Sequence, residues 1–200
     1  GEITIDGTNS ASIKIDGFKN ALGVVPQDVF LFSDSILNNV KFGSNNPDVT
    51  QLEIDAACET ADILNTIKQL EYGYETLLGE RGVNLSGGQK QRLSIARSLL
   101  RNPEILVLDD CLSAVDTETE DKILKELQKD KKERTTIIVS HRISTIRNAK
   151  HIIVIDEGTV IEQGSHSTLL KRKGFYFDLY KKQQSDLKDD MIDDGNEIGI

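Results

Sequence analysis

Ile105-Leu106-Val107-Leu108 is an unbroken apolar run that ends in two carboxylates, Asp109 and Asp110. A strand with one wet face alternates apolar and polar residues, whereas a continuous run suits a strand covered on both faces, as in a parallel sheet. Parallel strands need crossover connections, usually helices. The flanking sequence offers both. Thr136–Val139 is a second strand of the buried type, and Ala21–Val25 is a short apolar strand stopped by Pro26. Between them, Thr50 to Glu53 is a capping box, and Ile54, Ala57, Cys58 and Ala61 follow at helical spacing. The spacing predicts a helix over Thr50–Ala61. After Ser86, Leu93, Ala96 and Leu100 mark one face of a helix that ends before Pro103. Thr117 and Glu120 form a second capping box that opens another helix. Strands alternating with helices predict an α/β domain with a mostly parallel central sheet.

The remaining segments fill in the organisation. Ile3 and Ile5 alternate with polar neighbours in a short strand closed by the turn dipeptide Asp6-Gly7. His151–Ile155 and Thr159–Ile161 read as a hairpin turning at Asp156–Gly158, and Ser165 caps a last helix through about Tyr180. The helix-rich region around residues 35–101 is expected to form a small helical subdomain inside a domain spanning 1–184. From Ser185 onward, Asp186, Asp189, Asp190, Asp193, Asp194 and Glu197 face only Lys188, so 185–200 is expected to be an acidic, disordered tail.

Composition narrows the classes. Hydrophobic residues at 38% suffice for a real core, yet no apolar stretch approaches the roughly 18 residues of a membrane-spanning helix. A net charge of −9 without a basic stripe argues against nucleic acid as a partner. Cys58 and Cys111 lack a C-x-x-C spacing and any secretory signal, which fits a reducing cytosol. The chain starts at Gly1 and its only methionine is Met191, so it is expected to be a fragment or a processed piece.

Two elements carry chemistry. In Leu85-Ser86-Gly87-Gly88-Gln89, paired glycines at a helix start let backbone amides approach an anion, and the helix dipole favours negative charge there. Asp109-Asp110 closes a buried strand, where α/β sheets present ligands and where a carboxylate suits Mg²⁺.

The longer stretch Gly79-Glu80-Arg81-Gly82-Val83-Asn84-Leu85-Ser86-Gly87-Gly88-Gln89-Lys90-Gln91-Arg92 closely resembles the signature of ABC ATPases, including the G-E-x-G loop typical of exporters. The resemblance covers Gly1 to about Gln184 and implies roles for matching positions. Ser86, Gly87, Gly88 and Gln89 would contact nucleotide, and Asp116 in Ser113-Ala114-Val115-Asp116 would belong to the dimer-contact loop as well as capping the helix that follows. Asp109 matches the metal-handling aspartate and Asp110 the catalytic-base position. Gln27, in Val24-Val25-Pro26-Gln27-Asp28, resembles the glutamine that touches Mg²⁺ and water and couples to membrane domains. The following Val29-Phe30-Leu31-Phe32, Ser35-Ile36 and Asn39 match the exporter version. His141, after Val139-Ser140, resembles the switch histidine that contacts the γ-phosphate. ATP and Mg²⁺ are the implied cofactors.

Asp110 departs from the family's usual glutamate, which implies a slowly hydrolysing site and favours a heterodimer, with a homodimer still open. No Gly-Lys-Ser/Thr occurs in the sequence, so little ATP affinity is expected from this chain alone. The implied partners are the transmembrane domain of an exporter and a second nucleotide-binding domain whose phosphate loop faces this signature. The implied location is the cytoplasmic face of the membrane. The stretch from Ser165 through Gly174-Phe175-Tyr176 matches the exporter C-terminus. Chromosome-maintenance relatives carry coiled-coil arms where this chain has only the short stretch Asp28–Asn84, and translation-associated relatives carry tandem cassettes and basic surfaces. A non-catalytic interaction fragment is the third reading.

Overall fold

The computed structural model describes residues 1–79, 82, 84–129 and 134–193, with backbone alone over 187–193. Two compact units emerge, Gly1–Val139 and Ser140–Ile200.

The first unit is organised by a three-stranded parallel sheet in the order β3 (Leu22–Val25), β4 (Ile105–Asp109), β5 (Thr135–Val139). Val25 lies opposite Leu108, and Asp109 opposite Val139. An N-terminal hairpin, β1 (Thr4–Ile5) and β2 (Thr8–Asn9), turns at Asp6 and Gly7, both at positive φ. That pair of angles is the two-residue hairpin turn for which Asp-Gly is among the favoured sequences. Helix α1 (Ile15–Ala21) leads directly into β3.

Helices α2 (Ile36–Lys41) and α3 (Gln51–Thr60) pack with the long helix α5 (Gly87–Leu100), α4 (Leu64–Gln69) packs with α3, and α6 (Thr117–Lys129) follows β4. The expected capping box opens α3, with Thr50 and Glu53 bonding reciprocally. Ile54, Cys58 and Ile67 of the helical region share one buried cluster with Leu93, Ile95, Leu106, Leu108 and Ile123. The helical region is therefore built on the same core as the sheet.

The Asp116 carboxylate caps α6 by accepting the Thr119 amide at 2.9 Å. Two expectations change. Strand β5 is open where burial on both faces is expected: Ile137 and Val139, on one face of the strand, are 48% and 51% exposed. Among the described residues it is, like β3, an edge strand paired with β4. The second change lies in the second unit. The helix expected from Ser165 breaks into α8 (His166–Arg172) and α9 (Phe175–Asp193). Lys173 adopts a left-handed conformation, and the Glu162 carboxylate takes the Tyr176 amide at 2.7 Å.

Helix α9 runs to Asp193, well into the segment expected to be a disordered tail; residues 194–200 lie outside the described residues. Once the helix is nucleated and docked through Tyr176, each added residue gains a backbone bond without a new nucleation cost. The unit's hairpin is β6 (Ile152–Asp156) with β7 (Thr159–Gly164), and its short helix α7 spans Ile143–Ile146. Ile143, Ile152, Leu169 and Tyr176 form its core.

Both cysteines are free and buried in the first unit, Cys58 at 0% and Cys111 at 1% exposure. Burial pushes the Cys58 thiol up to about 11 and the Cys111 thiol up to about 12. The thiolate is the reactive form. Native chain at pH 8 is therefore expected to leave both thiols untouched by a disulfide-exchange reagent over minutes, and to release two equivalents once unfolded in guanidinium.

Candidate functional site

The N-terminus of α5 is built by Ser86 and Gln89. The Ser86 hydroxyl accepts the Gln89 amide at 3.3 Å, and the Gln89 side-chain oxygen accepts the Ser86 amide at 2.9 Å. That reciprocal cap satisfies two orphan donors of the first turn. The Gly87 and Gly88 amides also have no intrahelical carbonyl to bond, and they stand at the positive end of a fourteen-residue helix. Ser86 and Gly87 are exposed. A capped, glycine-rich and solvent-facing helix start of this kind can hold an anion.

The same turn is docked against the loop after β4. The Gln91 side chain accepts the Ala114 amide at 3.1 Å. A Cβ on Gly88 would stand 2.9 Å from the Ala114 carbonyl oxygen, so this helix and this loop approach as closely as they do only with glycine there. Asp116 ends the loop as the cap of α6. The Thr119 amide that it accepts holds its carboxyl below the usual carboxylate range. Ser86–Gln89 and Asp116 are thus parts of one structural element of the first unit.

Asp109 and Asp110 sit at the C-terminal edge of the parallel sheet, the edge at which α/β sheets bind ligands. Gln27 follows β3 on the same edge, two residues past Val25, and is exposed. Asp109 is exposed; Asp110 is half-buried and its φ is 43°. Aspartate is one of the few residues with a Cβ that adopts this left-handed region readily. The Asp110 backbone is pinned on both sides. Its amide donates to the Val139 carbonyl at 2.9 Å, and its carbonyl accepts the Ser113 hydroxyl at 2.9 Å and the Ser113 amide at 3.3 Å. Among the described residues no three His, Cys, Asp or Glu side chains form a metal cage. The oxygen donors Asp109 and Gln27 instead suit a hydrated Mg²⁺ held by one or two protein groups and substrate phosphates.

His141 belongs to the second unit and is exposed. It lies two residues beyond the end of β5, and its segment is held from within that unit, as described below. Glu80, Arg81 and Val83 of the G-E-x-G stretch lie outside the described residues.

Sequence reasoning missed the polar hub beneath the segment after Gln27. Arg97 of α5 donates from Nε to the Asn39 carbonyl at 2.8 Å, from Nη1 to the Phe30 carbonyl at 2.8 Å and from Nη2 to the Asn39 side chain at 2.7 Å. Asn39 in turn takes the Phe32 amide at 2.9 Å and gives its own amide to the Phe32 and Ser35 carbonyls. The guanidinium stacks 5.5 Å from the Phe32 ring and 5.8 Å from the Phe42 ring. Phe30 and Phe42, at 55% and 65% exposure, join Phe32 in an open aromatic patch. A second missed cluster is Asp62, whose carboxylate meets Arg92 of α5 and Lys122 of α6. Arg97 is one of several cations in and next to α5, with Lys90, Arg92 and Arg101, so its partners distant in the chain left no local signal.

A glycine-rich helix start that could hold an anion and a sheet edge carrying oxygen donors lie in one α/β unit, the layout of a nucleotide-binding domain. The chain belongs to the ABC transporter family, whose model matches residues 1–113. It is 51% identical over 185 residues to the multidrug resistance-like ATP-binding protein MdlA of Buchnera aphidicola, covering 92% of this chain and 32% of that protein. The ATP-dependent lipid A-core flippase of Pasteurella multocida is 46% identical over 183 residues, 92% of this chain and 31% of that protein. A solved bacterial Atm1-family ABC exporter with ATP bound superposes with a TM-score of 0.87 at 45% identity, covering 92% of this chain and 32% of that one. The chain thus spans about a third of the length of the relatives it matches.

Proposed function

We propose that this chain is the nucleotide-binding domain of an exporter in which Ser86–Gln89 grips the phosphates of an ATP held by a second, non-identical domain, while Asp110 makes its own site slow. The observation that carries the reading is the α5 N-terminus: capped by Ser86 and Gln89, exposed at Gly87, and locked by Gly88 onto the Ala114–Asp116 loop. Helix and loop can then respond to one ligand together. Mg²⁺, when bound, would neutralise phosphate charge, with Asp109 and Gln27 as the oxygen donors of this chain. Asp110 would orient the attacking water and His141 would contact the γ-phosphate.

The aromatic patch of Phe30, Phe32 and Phe42 is the surface proposed for a transmembrane partner, and the domain would then lie against the cytoplasmic face of a membrane. It is open, apolar and rigidly tied to α5 by Arg97. No helix among the described residues is long and apolar enough to cross a membrane, so translocation would fall to that partner.

The slow-site reading follows from reach. Both ends of the Asp110 peptide are fixed by hydrogen bonds, so the backbone cannot advance to compensate for an arm one methylene shorter than glutamate. A misplacement of roughly 1 Å costs about a hundredfold in rate. Asp110→Glu in the assembled transporter is expected to raise single-turnover ATP hydrolysis at this site by at least about tenfold, within that hundredfold ceiling. An unchanged single-turnover rate would sink the assignment.

A further inference from the structure

Helix α7 starts badly. It is four residues long, its cap position is Arg142, and no side chain of its own sequence caps it. The first amide of such a helix is an orphan donor that needs a partner from elsewhere. The partner is Gln183, on the last helix of the chain. Its side-chain oxygen accepts the Ile143 amide at 2.9 Å, and its side-chain nitrogen donates to the His141 carbonyl at 2.8 Å. One amide group thus closes a ring around the His141–Ile143 backbone, using both its donor and its acceptor. On the other side the Ser140 hydroxyl accepts the Arg142 amide at 3.0 Å and meets the Thr145 hydroxyl at 3.3 Å. The His141 peptide is held between these two supports.

The clamp does not serve to dock α9. Tyr176 is fully buried, and Leu179 and Tyr180 pack on the same cluster, one and two turns before Gln183. The helix is anchored by apolar contact, and Gln183, half-buried, stands beyond that anchor on the same face. Its amide is therefore available to set a backbone conformation rather than to supply core packing. We infer that Gln183 is a positioning residue for His141, fixing the backbone from which that side chain reaches the γ-phosphate, so that the C-terminal helix α9 takes part in the hydrolytic state. This rests on the reading of His141 as the γ-phosphate contact.

Two measurements test it. Hydrogen exchange of the Ile143 amide, followed by NMR in the full chain, is expected to accelerate at least tenfold in Gln183→Ala, while core amides of α9 around Tyr176 keep their protection. In the assembled transporter the same substitution is expected to lower single-turnover ATP hydrolysis at this site about tenfold with ATP affinity unchanged, and to cause no further loss when added to His141→Ala. Gln183→Glu keeps the acceptor for Ile143 but, when ionised, cannot donate to His141, and is expected to fall between wild type and Gln183→Ala. A purely structural role would show as a lower melting temperature with the single-turnover rate per folded molecule intact, and that result overturns the inference. So does an unchanged single-turnover rate in Gln183→Ala when His141→Ala is impaired. If His141→Ala itself turns over normally, the reading of His141 fails first and takes the positioning role with it.

Discussion

Arg97→Ala is expected to destabilise the first unit by about 3 kcal/mol, the sum of several carbonyls left without donors less what the loop recovers by relaxing into water. The guanidinium satisfies Asn39 twice and Phe30 once, and its plane covers two aromatic rings. Burial lowers its pKa, as expected for a desolvated cation, yet an arginine stays charged. Its removal leaves the Asn39 carbonyl, in a residue only 1% exposed, without that donor. Two cation–π contacts add roughly 0.5–1 kcal/mol each. Arg97→Lys should recover less than half of the loss, because an ammonium cannot span three acceptors in a fixed plane. Urea unfolding at constant m-value is the measurement. A change below about 1 kcal/mol would place this hub among ordinary surface contacts.

Gly87→Asp is expected to act in opposite directions on stability and on activity. A Cβ at Gly87 meets only the Ala114 methyl at 3.6 Å, an ordinary contact, so the site accepts a side chain. A carboxylate in the first turn of α5 faces the positive helix end and stabilises it by roughly 0.3–1 kcal/mol. The same carboxylate stands where the proposed phosphate would bind. Two like charges about 4 Å apart repel by about 4 kcal/mol at an effective dielectric near 20, which is about a thousandfold in an equilibrium or rate constant.

Much of this architecture is legible in the sequence because its signals are local. Apolar runs give β3 and β4, helical spacing gives α3 and α5, and the Asp6-Gly7 and Asp156–Gly158 turns give both hairpins. The α5 cap is equally local, since Ser86 and Gln89 bond to each other. What escapes is set by partners distant in the chain. Arg97 meets residues more than fifty positions earlier, and Gln183 meets a backbone some forty positions earlier. The break between α8 and α9 falls at Lys173-Gly174, where the glycine is a local stop signal, while the Glu162 carboxylate of β7 that takes the Tyr176 amide is a distant partner. Strand β5 has the composition of a buried strand, but Thr135, Ile137 and Val139 share an open face that composition does not reveal. For the acidic stretch after Ser185, charge suggests disorder, but helix propagation from a docked segment carries the backbone to Asp193.

The central claim is that the α5 N-terminus is a phosphate grip and not merely a well-capped helix. Paired measurements on Gly87→Asp test it: thermal unfolding of the chain, and steady-state ATP hydrolysis by the assembled transporter. The account predicts a melting temperature equal to or above that of the wild type together with a turnover reduced about a thousandfold. Wild-type turnover at wild-type stability would contradict it, leaving Ser86–Gln89 as a helix cap alone.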